Sequence, residues 1–171
     1  MRIFRFLAVI LVGVTLSGCA SSKFKTYNGP EVTRIVVDKS DRRMHLYHHN
    51  RVLESYNFGL GFAPEGDKTV EGDGKTPEGL YYIDRRNPNS RFHLSIGISY
   101  PNEADIELAR ALGQSAGGDI FIHGKPNTRE GKRWARGRGR DWTWGCIAVA
   151  DREIQQIYAM VKDGTPILIT P

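Results

Sequence analysis

Four apolar side chains at alternate positions, Phe92, Leu94, Ile96 and Ile98, form the cleanest stripe in the sequence. A period of two marks a strand with one face in a core, and such a strand needs neighbours along both edges. The rest of the chain supplies them. Arg34-Ile35-Val36-Val37 is a buried-strand run, Met44, Leu46 and His48 alternate after a polar turn at 40–43, and Tyr56, Phe58 and Leu60 alternate next. These read as consecutive antiparallel strands. Ile120-Phe121-Ile122 is a short apolar strand ending at His123, and Pro166 to Ile169 is the last strand. Two helices interrupt the pattern. Ala104, Leu108, Ala111 and Leu112 share one face, and Ile154, Ile157, Tyr158 and Val161 follow a capping Asp151. No strand–helix–strand alternation appears, so the expected class is mainly β: an antiparallel β-sandwich or partly open barrel with a few peripheral helices.

The N-terminal segment is not part of that fold. Arg2 and Arg5 precede an apolar stretch from Phe6 to Val14, which is too short to span a bilayer and reads as an export signal over residues 1–18. Leu16-Ser17-Gly18-Cys19 resembles a bacterial lipobox. That resemblance implies a lipidated Cys19 as the first mature residue, held on a membrane by two or more acyl chains. Ala20 in the next position resembles an outer-membrane address, hence an expected periplasmic location. A plain secretory signal with an incidental cysteine is the alternative. Residues 19–31 read as a tether, aperiodic and closed by Gly29-Pro30, and 32–171 as one compact domain.

Removing Arg2 and Arg5 takes the formal charge from +5 to +3, too mild to indicate a nucleic-acid partner. The chain has two cysteines. If Cys19 carries lipid, Cys146 has no partner in an oxidising compartment, which leaves an inert buried thiol, an intermolecular disulfide site or a reactive group.

Its surroundings favour the reactive group. Ile122-His123-Gly124, a polar spacer, and then Thr143-Trp144-Gly145-Cys146-Ile147 supply what a thiol nucleophile needs. A free thiol is mostly protonated near neutrality, so an imidazole must take its proton or stabilise the thiolate. Gly145 lets backbone approach a substrate carbonyl, and its N–H or that of Cys146 is a candidate oxyanion donor. Gly124 offers similarly open backbone beside His123.

This arrangement resembles the L,D-transpeptidase catalytic domain, or YkuD, family, whose pattern is His-Gly, a spacer, Ser or Thr, a variable residue, Gly-Cys and an apolar residue. Gly74-Lys75-Thr76-Pro77-Glu78-Gly79-Leu80-Tyr81 is similar to its Thr-Pro-x-Gly turn and strand. Asp38 to Tyr47 with Gly59-Leu60-Gly61 is similar to its opening hairpin. Tyr100-Pro101-Asn102 and Gly-Cys-Ile-Ala are shared with the YafK-like group. Trp144 replaces a frequent His, Ala148 a frequent Arg or Asn, and the 22-residue spacer between His123 and Cys146 is long.

The resemblance implies Cys146 as nucleophile, His123 as base, and Gly145, Gly124 and Thr143 as backbone support. It implies peptidoglycan tetrapeptide stems as substrate, through a thioester, with no cofactor and no metal. Attack by a stem amine gives a 3-3 crosslink and attack by a lysine of an outer-membrane lipoprotein gives anchoring. Water gives hydrolysis, and a hydrolase of this fold that frees wall-bound lipoprotein is the first alternative. A catalytically idle wall-binding lipoprotein is the second.

Other residues read less sharply. His45, His48, His49 and His93 lack the spacing of zinc ligands and read as structural or surface residues. Residues 129–140, with Arg129, Lys132, Arg133, Arg136, Arg138 and Arg140, read as a flexible basic lid over substrate carboxylates or as a solvated loop. Arg138, Arg140, Trp142 and Trp144 are candidate substrate contacts, the tryptophans alternatively core filling.

Overall fold

The computed structural model describes residues 22–171. The export-signal reading and Cys19 lie outside the described residues. Strand β1 (Arg34–Asp38), β2 (Arg43–His48) and β3 (Arg51–Asn57) form the expected antiparallel meander. β4 (Gly79–Asn87), β5 (Ser95–Ile98), β6 (Phe121–His123), β7 (Ile147–Ala148) and β8 (Pro166–Thr170) complete the sheet. Helices α1 (Glu103–Ala111), α2 (Arg129–Gly137) and α3 (Asp151–Met160) lie between strands.

The strand order is β3-β2-β1-β8-β4-β5-β6-β7, one continuous sheet curled into a half-barrel, so the barrel alternative is the one realised. Pairing is antiparallel except at β1–β8 and β6–β7. The two edges are stitched together beyond the named strands. Gly59 exchanges both backbone hydrogen bonds with Ala148 (2.9 and 2.8 Å), and Phe62 N–H donates to Thr143 O at 3.0 Å.

Alternation fixes which side is core. Ile35 and Val37 of β1, Ile167 and Ile169 of β8, Tyr81 and Ile83 of β4, and Ile122 of β6 all point inward, where α3 seals them with Ile154 and Ile157. Each such aliphatic side chain contributes roughly 1.5–3 kcal/mol by leaving water. A smaller cluster of Ala135, Trp142 and Ala148, with Phe92 against it, occupies the opposite face near β6 and β7.

Several expectations need correction. The Phe92–Ile98 stripe is not one strand: His93 takes a left-handed backbone (φ 70°), and only Ser95–Ile98 is extended. On α1 the expected core residues Leu108 and Leu112 are exposed, and Ala109 is the buried one. The N-cap of α3 is Ala150, not Asp151, and its N–H donates to Glu153 Oε2 at 2.7 Å. The basic segment is no flexible loop but helix α2, capped by Thr128. In the segment read as a tether, Lys23 Nζ donates to Pro88 O (2.6 Å) and His93 O (3.2 Å), and neither contact bears on that reading.

Candidate active site

The β6–β7 register brings the two candidate side chains, Cys146 and His123, to one face. His123 is paired with Ala148 and Ile122 with Ile147. Cys146 lies two positions before Ala148, so it emerges on the same face as His123, while Ile122 and Ile147 turn into the main core. Both residues line one cavity of about 400 Å³, together with Ser90, Phe92, Ser95 and Phe121. Cys146 also lines a second, larger cavity of about 800 Å³, with Lys68, Glu71, Gly118 and Trp144; Asp119 borders both cavities.

His123 is 3 % exposed, and its Nδ1 lies 2.8 Å from the carbonyl oxygen of Gly124. A carbonyl only accepts, so Nδ1 carries the hydrogen and Nε2 keeps a free lone pair. Phe92 covers the ring at a centroid distance of 4.5 Å, and Trp142 stands edge-on at 5.5 Å. Burial pushes the imidazole down to about 4, with the Lys125 charge adding to it and the Gly124 hydrogen bond opposing it. His123 is therefore neutral across the physiological range.

Cys146 is a half-buried free thiol whose Sγ–H donates to Asp119 O at 3.5 Å. Desolvation pushes it up to about 11, opposed by the Phe121 backbone hydrogen bond. The resting pair is thus thiol and neutral imidazole, not thiolate and imidazolium.

The turn that presents Cys146 is held from several sides. Thr143 Oγ1 accepts from Gly145 N–H (3.2 Å) and donates to Cys146 O (2.7 Å). Thr76 Oγ1 donates to Gly145 O at 2.8 Å, which gives the Thr-Pro turn a part in the site. Gly145 sits at φ 122°, and a Cβ there would come within 2.5 Å of Lys75 O. Gly61 is as tightly constrained, against Gly74 O and Gly145 N, which is the packing reason for the Gly59-Leu60-Gly61 motif. Asp141, bidentate with Arg42 (3.1 and 2.8 Å), also accepts from Leu60 N–H.

The structure separates the other candidates. Trp144 is 63 % exposed, edge-on to Phe62 at 5.0 Å, on the rim of the larger cavity. Trp142 is buried behind His123 and is core filling. Arg138 stacks on Trp134 (4.3 Å) and Arg140 Nε donates to Phe58 O (2.9 Å). Neither lines a cavity that Cys146 lines. His93 bonds Gln155 through Nε2 (2.8 Å), His45 bonds Ser55, and His48 bonds Glu31 O.

Sequence reasoning missed three contributors. Asp119, at φ 56°, turns its carbonyl to the thiol. Phe92 covers the His123 ring. Asn127 holds the segment carrying Phe92, donating to Ser90 O and Arg91 O (both 2.9 Å) and accepting from His93 N–H (2.8 Å). None of the three has a local pattern, because each is defined by contact across the sheet.

A family profile described as the L,D-transpeptidase catalytic domain matches residues 32–169. Half-barrel and profile together define the class of the domain, the L,D-transpeptidase catalytic-domain fold. More particularly, the chain belongs to the YkuD family. It is 34 % identical over 133 residues to YafK of Escherichia coli (strain K12), named as a candidate L,D-transpeptidase, covering 74 % of this chain and 46 % of that protein. The helical cell shape determining protein Pgp2 of Campylobacter jejuni has a similar structure, with TM-score 0.60, 25 % identity, and coverage of 84 % of this chain and 49 % of Pgp2. Bd1075 of Bdellovibrio bacteriovorus is similar at TM-score 0.55 and 26 % identity, covering 82 % and 48 %. The chain spans about half the length of these relatives.

Proposed function

We propose that this domain is an L,D-transpeptidase that acts on peptidoglycan tetrapeptide stems through a thioester on Cys146. The observation that carries this reading is the shared cavity of Cys146 and His123, fixed by the β6–β7 register.

As a substrate enters, Sγ swings from Asp119 O to His123 Nε2. The imidazole takes the thiol proton as sulfur attacks the carbonyl of the third stem residue, typically meso-diaminopimelate. Gly145 N–H is engaged by Thr143, so the Cys146 N–H is the better placed donor for the oxyanion. Collapse of that intermediate gives the thioester and expels the terminal D-alanine, whose amine takes the proton from the imidazolium. An acceptor amine then attacks the thioester, its proton passing to His123, and the thiol is regenerated.

The larger cavity that Cys146 also lines favours transfer to an amine over hydrolysis, because it gives a second peptide room to approach. A second stem yields a 3-3 crosslink, and a lipoprotein lysine yields anchoring to the wall. The proposal includes export of the chain through residues 1–18 and a lipid on Cys19 that holds it at the outer membrane, facing the periplasm. Mass spectrometry of muropeptides after incubation with the enzyme tests the reaction. New 3-3 dimers are expected; tripeptides alone, or shrinking lipoprotein-bound species alone, mean that water is the acceptor.

A further inference from the structure

The cations around α2 build a second concave site, one that Cys146 does not line. Lys125, Lys132, Arg136 and Arg140 border two adjoining depressions of about 550 and 320 Å³ that share Lys125 and Gly139. Trp142 walls the smaller one, and its other contacts include the His123 ring. Among the described residues, none of these four cations lies within 4.0 Å of a carboxylate. Two carboxylates share the groove, but both are engaged by backbone: Asp151 Oδ1 accepts from Lys125 N–H and Glu153 Oε2 from Ala150 N–H, each at 2.7 Å. The groove is left with a net positive charge and free guanidinium donors.

We propose that this groove binds a carboxylate-bearing strand of the wall polymer, as a contact separate from the thiol site; this rests on the peptidoglycan reading above. Guanidinium groups pair with carboxylates through two parallel hydrogen bonds, and an elongated concave site suits an extended strand. A lipid surface fits less well. Of the apolar side chains of α2, Ala135 is buried, and Trp134, though partly exposed, stands edge-on to Trp142 and carries the Arg138 guanidinium on its ring, so the helix offers a bilayer one partly covered indole and no continuous apolar face. Holding the polymer here raises the local concentration of stems at Cys146, as any two-point attachment does.

Sedimentation with insoluble peptidoglycan tests the proposal, using the full-length chain carrying Cys146→Ala so that nothing turns over. Binding is expected to weaken as salt is raised, to weaken about fivefold in a Lys132→Gln/Arg136→Gln double variant with an unchanged thermal midpoint, and to weaken likewise when the wall carboxylates are amidated. Unaltered binding by the double variant, or equal binding to amidated wall, overturns it. So does a loss seen only on anionic phospholipid vesicles. Acylation of the parent protein by a soluble stem peptide reports on the thiol chemistry separately. Its absence sinks that chemistry, while the sedimentation comparison still decides the groove.

Discussion

Nδ1 of His123 donates to the carbonyl oxygen of Gly124, the very next residue, at 2.8 Å. That bond fixes the tautomer, leaves Nε2 unprotonated in a ring that lines the cavity, and gives the His-Gly pair of the family pattern a physical meaning. Any residue at position 124 has a carbonyl, but Gly124 also fits where a Cβ would meet Asp151 Oδ1 at 2.7 Å.

The neutral resting pair has a kinetic signature. With the thiol held up at about 11, iodoacetamide should alkylate Cys146 about a hundredfold more slowly at pH 7 than an ordinary thiol, the rate rising with pH into the alkaline range. Turnover should hold a plateau from its acid limb near pH 4 upward, because His123 is unprotonated there. Fast, pH-independent alkylation between pH 5 and 8 is the signature of a thiolate–imidazolium pair and contradicts this assignment.

Burying His123 as a neutral ring also links stability to pH. Its folded value, about 4, lies below the ordinary 6.5, so the unfolded chain binds the extra proton. The native state is unaffected above pH 6.5 and loses on the order of 3 kcal/mol as pH falls from there to about 4. Urea midpoints measured across that window should drop in the parent and drop less in His123→Gln.

Thr143 acts through the backbone of its own turn. Thr143→Val leaves the Gly145 N–H and Cys146 carbonyl without their hydroxyl partner, which costs about 1–3 kcal/mol and loosens the turn that presents Cys146. Thioester formation should slow by about tenfold or more. Thr143→Ser should restore most of the rate; a valine variant acylating at the parental rate removes the role.

Two glycine substitutions separate close packing from open space. Gly145→Ala places a Cβ 2.5 Å from Lys75 O at φ 122° and should destabilise by about 3 kcal/mol. Gly137→Ala, in α2 with nothing within 4 Å, should stabilise by about 0.5–1 kcal/mol. Thermal midpoints report both.

Strands with one buried face were readable because burial on one side imposes a period of two, as at Ile35 and Val37 or Ile167 and Ile169. That Cys146 and His123 share a cavity was readable because each stands in a short local pattern, Gly-Cys and His-Gly. Helix α2 was not, since its cations and glycines leave only Ala135 buried, and its position depends on Trp134 meeting Trp142 from across the turn. The face of α1 was misread because the helix is held by Ala109 and by Asp105, which accepts from the Tyr81 hydroxyl (3.0 Å), and not by its leucines. Asp119 and Asn127 act through backbone atoms and long-range hydrogen bonds, which no residue spacing records.

The most direct test is intact-protein mass spectrometry after brief exposure to a soluble tetrapeptide stem. The account predicts a hydroxylamine-sensitive adduct on Cys146 with the mass of the stem less its terminal D-alanine, formed far more slowly in His123→Ala. An adduct on another residue, or turnover of the stem that survives Cys146→Ala, contradicts it.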